Sequence, residues 1–384
     1  MLDFNWEEED LIYKNSVVEF AREELDFPVR SYDKEGHFPR DLWTKCATFG
    51  IQGLAATKEF GGSFDQINFA RAILAMEGLG YGCRDNGLTF GLNAQMWTVQ
   101  LPILQFGSQH HKDKFLRPLV SGEKIGAHAL TEPHAGSDIF NMTCAARPVA
   151  DGYILNGTKH LITFAPIADL AIVFASVKPE LGQWGISAFI VERDMKGLKQ
   201  SPVREKMGLR TIPIGEYVFK DCFVPTENRL GTEGAGFSIL SYSLEYDRGC
   251  ILASQVGAMQ RQLEDTIEFA RKRQQFKQSI AKFQSVSNRI VDMKVRLDIA
   301  KLLLYKLTWL KHHGKSAMME AAELKLHLGE SFVESSLDAI RTRGGMGYLS
   351  ENEVERDLRD AIGGVLYAGT SDIQRNIIAR LLGL

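Results

Sequence analysis

The spacing of apolar residues changes twice along this 384-residue chain, and that double change limits the fold more than any single motif. Up to about residue 125, apolar side chains recur every three to four positions, the interval that lines one face of a helix. Leu11, Val18, Ala21 and Leu25 share such a face, and Asn5 with Glu8 has the spacing of a capping box before it. Further helices are expected over 41–49, stopped by Gly50, and over 65–79, 95–106 and 109–120. From about residue 126 the period falls to two, with strand-like runs at 153–156, 170–175, 185–191 and 216–223 between Gly, Pro and Asp turns. After Phe237 the helical period returns over 237–273, 281–313, 316–343 and 372–382. The expected architecture is α+β, mainly α: an N-terminal helical domain (1–125), a middle antiparallel β-barrel or sandwich (126–235) and a C-terminal four-helix bundle (236–384).

Charge and chain chemistry then narrow the function. A net charge of −3 gives no whole-protein basic field for nucleic acid, and no apolar run reaches the roughly 20 residues that span a bilayer. The acidic start lacks the basic and apolar regions of a signal peptide, so a cytoplasmic setting is expected. Cys46, Cys83, Cys144, Cys222 and Cys250 are scattered, which predicts reduced packing thiols and no metal site. Residues 261–315 carry 13 basic against 5 acidic side chains, a locally basic segment that suits either a solvated helix face or an anionic partner. In the same segment Ile290, Met293, Leu297, Ala300, Leu304 and Leu307 form a stripe that reads as bundle core.

The stretch richest in chemistry runs from His128 to Thr163. Its first part gathers Thr131, Pro133, Gly136 and Ser137 in one loop, whose amides and hydroxyls can face a flat polar ligand. Its second part contains Asn156-Gly157, a dipeptide that favours a tight hairpin turn.

The order of domains, together with Thr131-Glu-Pro-His-Ala-Gly-Ser-Asp138, resembles the acyl-CoA dehydrogenase superfamily over essentially the whole chain. Further blocks support the resemblance: Asn156-Gly-Thr-Lys159, Lys206-Met-Gly-Leu-Arg210, Arg273-Gln-Gln-Phe276, Phe283-Gln284, Gly344-Gly-Met-Gly-Tyr348, Arg356-Asp-Leu-Arg-Asp360 and Gly369-Thr-Ser-Asp-Ile-Gln-Arg375. Within the superfamily, Ala165-Pro-Ile-Ala-Asp169 and Lys178-Pro-Glu-Leu-Gly182 are most like members acting on carrier-bound acyl or aminoacyl groups, the prolyl-carrier-protein dehydrogenases among them.

The resemblance implies FAD between the β-domain and the C-terminal bundle, held by Leu130, Thr131, Gly136, Ser137, Ile162 and Thr163, with Thr370 and Asp372 also at the cofactor. It implies that a neighbouring subunit of a dimer or tetramer completes the site with Arg273, Phe276, Gln284, Arg341, Gly344 and Gly345. It places Ser137, Ser176, Glu245, Arg248, Ala368 and Gly369 at the substrate. The implied substrate is a thioester on a carrier protein or on CoA, and the implied electron acceptor is an electron-transfer flavoprotein or oxygen.

The sequence departs from the family pattern at four places. Leu161 replaces an aromatic residue, Phe164-Ala165 replaces Asn-Gly, and Lys277 replaces the Gly that follows Phe276. Ala368 stands where most members carry the glutamate base, and alanine takes no proton. Some members place the base instead just before an arginine on the first helix of the bundle, and here that residue is Asp247 in Leu244-Glu-Tyr-Asp-Arg248. Glu245 is the rival carboxylate, but two residues apart on a helix means about 200° of rotation, so both cannot face one cleft. Three functions remain open: a carrier-linked dehydrogenase in a biosynthetic pathway, an ordinary CoA-thioester dehydrogenase, and an inactive thioester-binding homologue.

Overall fold

The computed structural model describes residues 6–384, so the Asn5 half of the expected capping box lies outside the described residues. Helix α1 (Glu8–Glu24) opens on three acidic residues at its positive end and buries Asp10, Val17 and Ala21. Leu11, expected on that face, is 40% exposed. Asp10 turns inward instead, where it accepts a hydrogen bond from Arg71 Nε at 2.6 Å. Helix α2 (Arg40–Phe49) stops at Gly50, whose φ of 100° suits a residue without Cβ.

Helix α3 (Phe69–Gly82) begins after Asn68, which caps it by accepting the Arg71 N–H at 3.0 Å. A single helical run, α4, then covers 86–106, starting well before the expected residue 95. Asp85 caps it by accepting the Gly87 N–H at 2.9 Å. Within α4, Met96–Gln100 forms a π-helical turn, which accommodates one residue more than an α turn.

The middle domain is one eight-stranded sheet. Its strands are β1 (Gly126–Ala129), β2 (Ala145–Val149), β3 (Gly152–Thr163), β4 (Leu170–Ser176), β5 (Ile186–Glu192), β6 (Leu198–Gln200), β7 (Ile214–Pro225) and β8 (Arg229–Leu230). They run in the order β6-β7-β3-β2-β4-β5-β8, and β1 and β2 both pair with β4 in parallel, so the sheet is mixed rather than purely antiparallel.

Asn156-Gly157 is not a hairpin turn. It lies inside β3, at a bulge where the register with β7 shifts between Leu155 and Gly157. Gly157 has φ 141°, and a Cβ there would stand 2.7 Å from Cys144 Cα, so close approach of the neighbouring strand requires the glycine. Asn156 instead ties the sheet together, accepting the Asp221 N–H at 2.9 Å.

The C-terminal region contains α5 (Gly236–Cys250), α6 (Ala253–Lys272), α7 (Gln284–His312), α8 (Met318–Arg343), α9 (Val354–Gly364) and α10 (Ser371–Leu381). The expected single helix over 237–273 is thus two helices, broken at the buried pair Ile251-Leu252. On α7 the stripe from Met293 to Leu307 is buried, with Ile290 partly so. A second apolar stripe on α7, Val291, Val295, Ile299 and Leu302, is 42–56% exposed. Among the described residues no helix is long and apolar enough to cross a membrane.

Candidate active site

A cleft opens where the β-domain meets α4, α5 and the turn before α10. Helix α4 supplies Phe90, Ala94 and Thr98, four residues apart and hence on one face. The loop after β1 supplies Leu130, Thr131, Gly136 and Ser137, and the end of β3 supplies Leu161, Ile162 and Thr163, with Phe164 following. Helix α5 contributes Leu244, Asp247 and Arg248, and the turn contributes Tyr367, Ala368 and Gly369.

The loop is anchored from beneath. Glu132, immediately after Thr131, accepts bonds from the Thr143 N–H (2.7 Å), the Thr143 hydroxyl (2.8 Å), the Cys144 N–H (3.0 Å) and Lys159 Nζ (2.8 Å). Both members of the Lys159–Glu132 pair are buried, at 0% and 2% side-chain exposure. Lys159 also donates to the Leu130 carbonyl at 2.9 Å, so the residues on both sides of Thr131 are fixed.

Above this anchor the backbone is strained. Leu161, Phe164 and Ala368, all lining the cleft, have φ of 55°, 67° and 54°. Such left-handed non-glycine residues cost about 1 kcal/mol or more each and collect at functional sites. Leu161 is held half outside, whereas the Phe164 ring packs 5.4 Å from Trp43 and 5.8 Å from Phe38, making a hydrophobic floor where the family has a small polar pair. The Ala368 and Gly369 carbonyls accept bonds from Gln374 Nε2 at 3.1 and 2.9 Å. The Ala368 N–H has no acceptor among the described residues and remains available to a ligand.

Three hydroxyls of the cleft wall, on Thr131, Ser137 and Thr163, likewise have no hydrogen-bond partner among the described residues. A Cβ on Gly136 would meet nothing within 4 Å, so the wall is open there. Free hydroxyls beside an open glycine, with apolar Leu130 and Ile162 between them, fit the polar edge and flat face of an isoalloxazine ring.

Asp247 is 8% exposed, and its carboxylate makes no hydrogen bond or ion pair among the described residues. Burial raises its carboxyl to about 6, against the lowering influence of Arg248 and Lys325. Glu245 points elsewhere: it pairs with Lys311 and accepts the Ala317 N–H at 2.7 Å, joining α5 to the start of α8. The expected substrate contact for Glu245 is therefore not where the structure puts the side chain.

Ser176 also lies outside the cleft, buried at the end of β4 with its N–H on the Cys144 carbonyl at 2.8 Å. Thr370 caps α10 through the Ile373 N–H at 3.3 Å, and the Asp372 side chain is 87% exposed and paired with Arg375. Neither lines the cleft.

The remaining expected cofactor residues sit at another part of the bundle and do not line the cleft of their own chain. Phe276 and Lys277 form a two-residue hairpin tip with φ 50° and 62°, so Lys277 adopts the left-handed turn that its missing glycine would have made easily. Phe276 is 87% exposed. Arg273 and Gln284 flank this hairpin, and both are exposed. Arg341, Gly344 and Gly345 end α8, which is tied to α6 by Arg343 stacked 5.4 Å over Phe269. Sequence reasoning missed the α4 wall of Phe90, Ala94 and Thr98, although their four-residue spacing carried the signal.

A helical domain, a sheet and a helical bundle around a cleft of this kind define the class: the chain belongs to the acyl-CoA dehydrogenase family. The family's N-terminal, middle and C-terminal domains match residues 7–123, 127–222 and 234–383. More particularly, the chain is 42% identical to an L-prolyl-(peptidyl-carrier protein) dehydrogenase of a Serratia species, over 100% of this chain and 99% of that protein. Among solved structures it is similar to the prolyl acyl carrier protein oxidase AnaB, with a TM-score of 0.97, 44% identity and coverage of 99% and 100%. It is similar to PigA with FAD and proline at a TM-score of 0.97 and 42% identity, covering 100% and 99% of the two chains.

Proposed function

We propose that the protein is an FAD-dependent dehydrogenase that oxidises an aminoacyl thioester, with a prolyl group foremost, carried on a peptidyl or acyl carrier protein. The observation that carries this reading is Asp247, a buried and unpaired carboxylate lining the same cleft as the free hydroxyls of Thr131, Ser137 and Thr163. Full-length likeness to two prolyl carrier-protein enzymes supports the choice of acyl group and carrier.

Thr131, Ser137 and Thr163 would hold the flavin through their free hydroxyls, with Leu130, Gly136 and Ile162 against its ring. Bound there, FAD would supply the acceptor for one hydride and, with it, the two electrons that leave the substrate. The chain's own groups do the rest. Asp247 takes the acidic proton next to the thioester carbonyl, and the Ala368 N–H donates a hydrogen bond to the carbonyl oxygen as negative charge develops on it. Phe90, Phe164 and Tyr367 exclude water, which keeps Asp247 a strong enough base near neutral pH. Because the base must be ionised, reduction of the flavin by substrate is expected to rise as the pH passes through about 6. A rate that stays flat from pH 5 to 8 would show that another group takes the proton.

The test is anaerobic incubation of the yellow protein with prolyl-loaded carrier, following flavin bleaching and loss of two hydrogens by mass spectrometry. Equal or faster turnover of prolyl-CoA would move the assignment to a CoA-thioester dehydrogenase, and no bleaching with either would favour an inactive homologue.

We infer a homo-oligomer as well. Arg273, Phe276, Gln284, Arg341, Gly344 and Gly345 are exposed away from their own cleft, which suits completion of a neighbour's cofactor site. The open stripe Val291, Val295, Ile299 and Leu302 offers an apolar face for helix–helix contact. Light scattering should give a multiple of the 43.0 kDa chain mass. Val295→Glu with Leu302→Glu should lower that multiple and release FAD, whereas a flavin-replete monomer before mutation would overturn the inference.

A further inference from the structure

Lys325 is a lysine with no exposed surface, and its Nζ has no hydrogen bond and no ion pair among the described residues. It stands on α8, which packs against α5, the helix that carries Asp247. Removing an ammonium from water costs several kcal/mol unless a partner charge offsets it. A leucine or methionine would fill the same space without that cost. The lysine therefore needs an electrostatic reason to be there, and the groups its charge acts on are few: Asp247 and Arg248 on α5, and Glu330 on α8.

The groups that act on Asp247 are equally few. Arg248 follows it on the same helix, Lys325 acts on it from α8, the helix packed against α5, and its own charge is felt by Cys250 on α5 and by Tyr367 in the turn before α10. Glu245 and Lys311 neutralise one another. Of the two cations near Asp247, Arg248 lines the cleft, where it is free for substrate, and Lys325 does not.

We propose that Lys325 is a positioning residue for Asp247, a buried positive charge behind α5 that keeps the cleft carboxylate ionised and ready to accept a proton. The mutual influence of the two groups agrees with this: burial pushes the Lys325 amine down to about 8, and Asp247 is the first group that works to raise it again. The proposal rests on the reading of Asp247 as the base, and its consequences reach beyond activity.

Two measurements test it. In the flavin-loaded enzyme, Lys325→Met should move the rising limb of the reduction-rate profile upward by about one pH unit or more, a tenfold loss of ionised Asp247 at low pH. Lys325→Arg, which keeps the charge, should leave the limb near its original place. An unmoved limb in the Met variant with full flavin content would overturn the proposal.

The second measurement needs no substrate. At pH 7, where both groups are mostly charged, Lys325→Met should lower the thermal midpoint more in the protein with Asp247 than in an Asp247→Asn background, and this difference should vanish at pH 5, where the carboxyl is protonated. Equal changes in both backgrounds at pH 7 would reduce Lys325 to a packing residue. If no thioester reduces the wild-type flavin, the functional reading fails while this thermal cycle still decides the pairing.

Discussion

Asp247→Asn is expected to slow reduction of the bound flavin by its thioester substrate by roughly 100- to 10,000-fold, the usual cost of losing a general base. The substitution keeps the shape of the side chain, so the flavin spectrum and the substrate's affinity should change little. Stopped-flow mixing under anaerobic conditions separates these quantities. Glu245→Gln is the control, because that carboxylate is spent on Lys311 and the Ala317 N–H rather than on the cleft. Collapse in the Glu245 variant with near-normal reduction in the Asp247 variant would reverse the assignment.

Asp247→Asn should also make the protein more stable. Its carboxyl is raised from 3.8 to about 6 in the folded state, so the folded chain is favoured while the group is protonated. That contribution is complete below about pH 4 and is lost as the pH rises through about 6. Above that, the ionised carboxylate opposes folding by an amount on the order of 3 kcal/mol. A higher thermal midpoint at pH 8 with abolished activity would be the mark of a residue kept for chemistry.

Removing one partner of the Lys159–Glu132 pair is expected to destabilise the protein by about 3–5 kcal/mol, because the other charge is left buried without compensation. Burial works against the Glu132 carboxylate, but Lys159 and the amides of Thr143 and Cys144 hold it below the ordinary range. Its contribution is therefore present at neutral pH and lost as the pH falls below the usual carboxylate value. Glu132→Gln or Lys159→Met should lower the thermal midpoint by several degrees and loosen FAD, since Thr131 and Ser137 ride on this anchor. The double variant Glu132→Gln with Lys159→Met should be less damaged than either single one. Additive losses in the double variant would mean that the pair does not act as a unit.

Much of this was legible in the sequence because periodicity reports burial, and burial is what divides the chain into helical, β and helical regions. The loop of Thr131 to Ser137 and the relocated Asp247 were legible because their chemistry needs particular residues in a particular order. Asn156-Gly157 misled because a dipeptide signals only local preference, whereas the glycine is required by Cys144, distant in sequence and just before β2. Helix α9 carries apolar Val354, Leu358 and Ala361 at helical spacing, but its dense charges obscured the pattern. Ser176 and Glu245 carry polar side chains suited to a site, and only packing reveals that the first ends a strand and the second braces α8. Lys325 gave no signal at all, since a lysine on a helix is ordinarily a solvated one.

The π-helical turn of α4 lets the cleft wall tolerate a change of chain length at one place and nowhere else along the helix. An α-helix advances about 100° per residue, and the turn at Met96–Gln100 stores one residue beyond the regular count. Excising a single residue there would restore a regular helix without shortening either flank. The segments before and after it would keep their mutual phase, because the turn already absorbs the extra residue, and Phe90 and Ala94 would stay on the wall they form; the same excision outside the turn would rotate one flank by about 100° and carry them off it. Insertions and deletions, usually confined to surface loops, thus have a site in the middle of this helix where a single residue can come or go while the chamber wall on either side keeps its orientation.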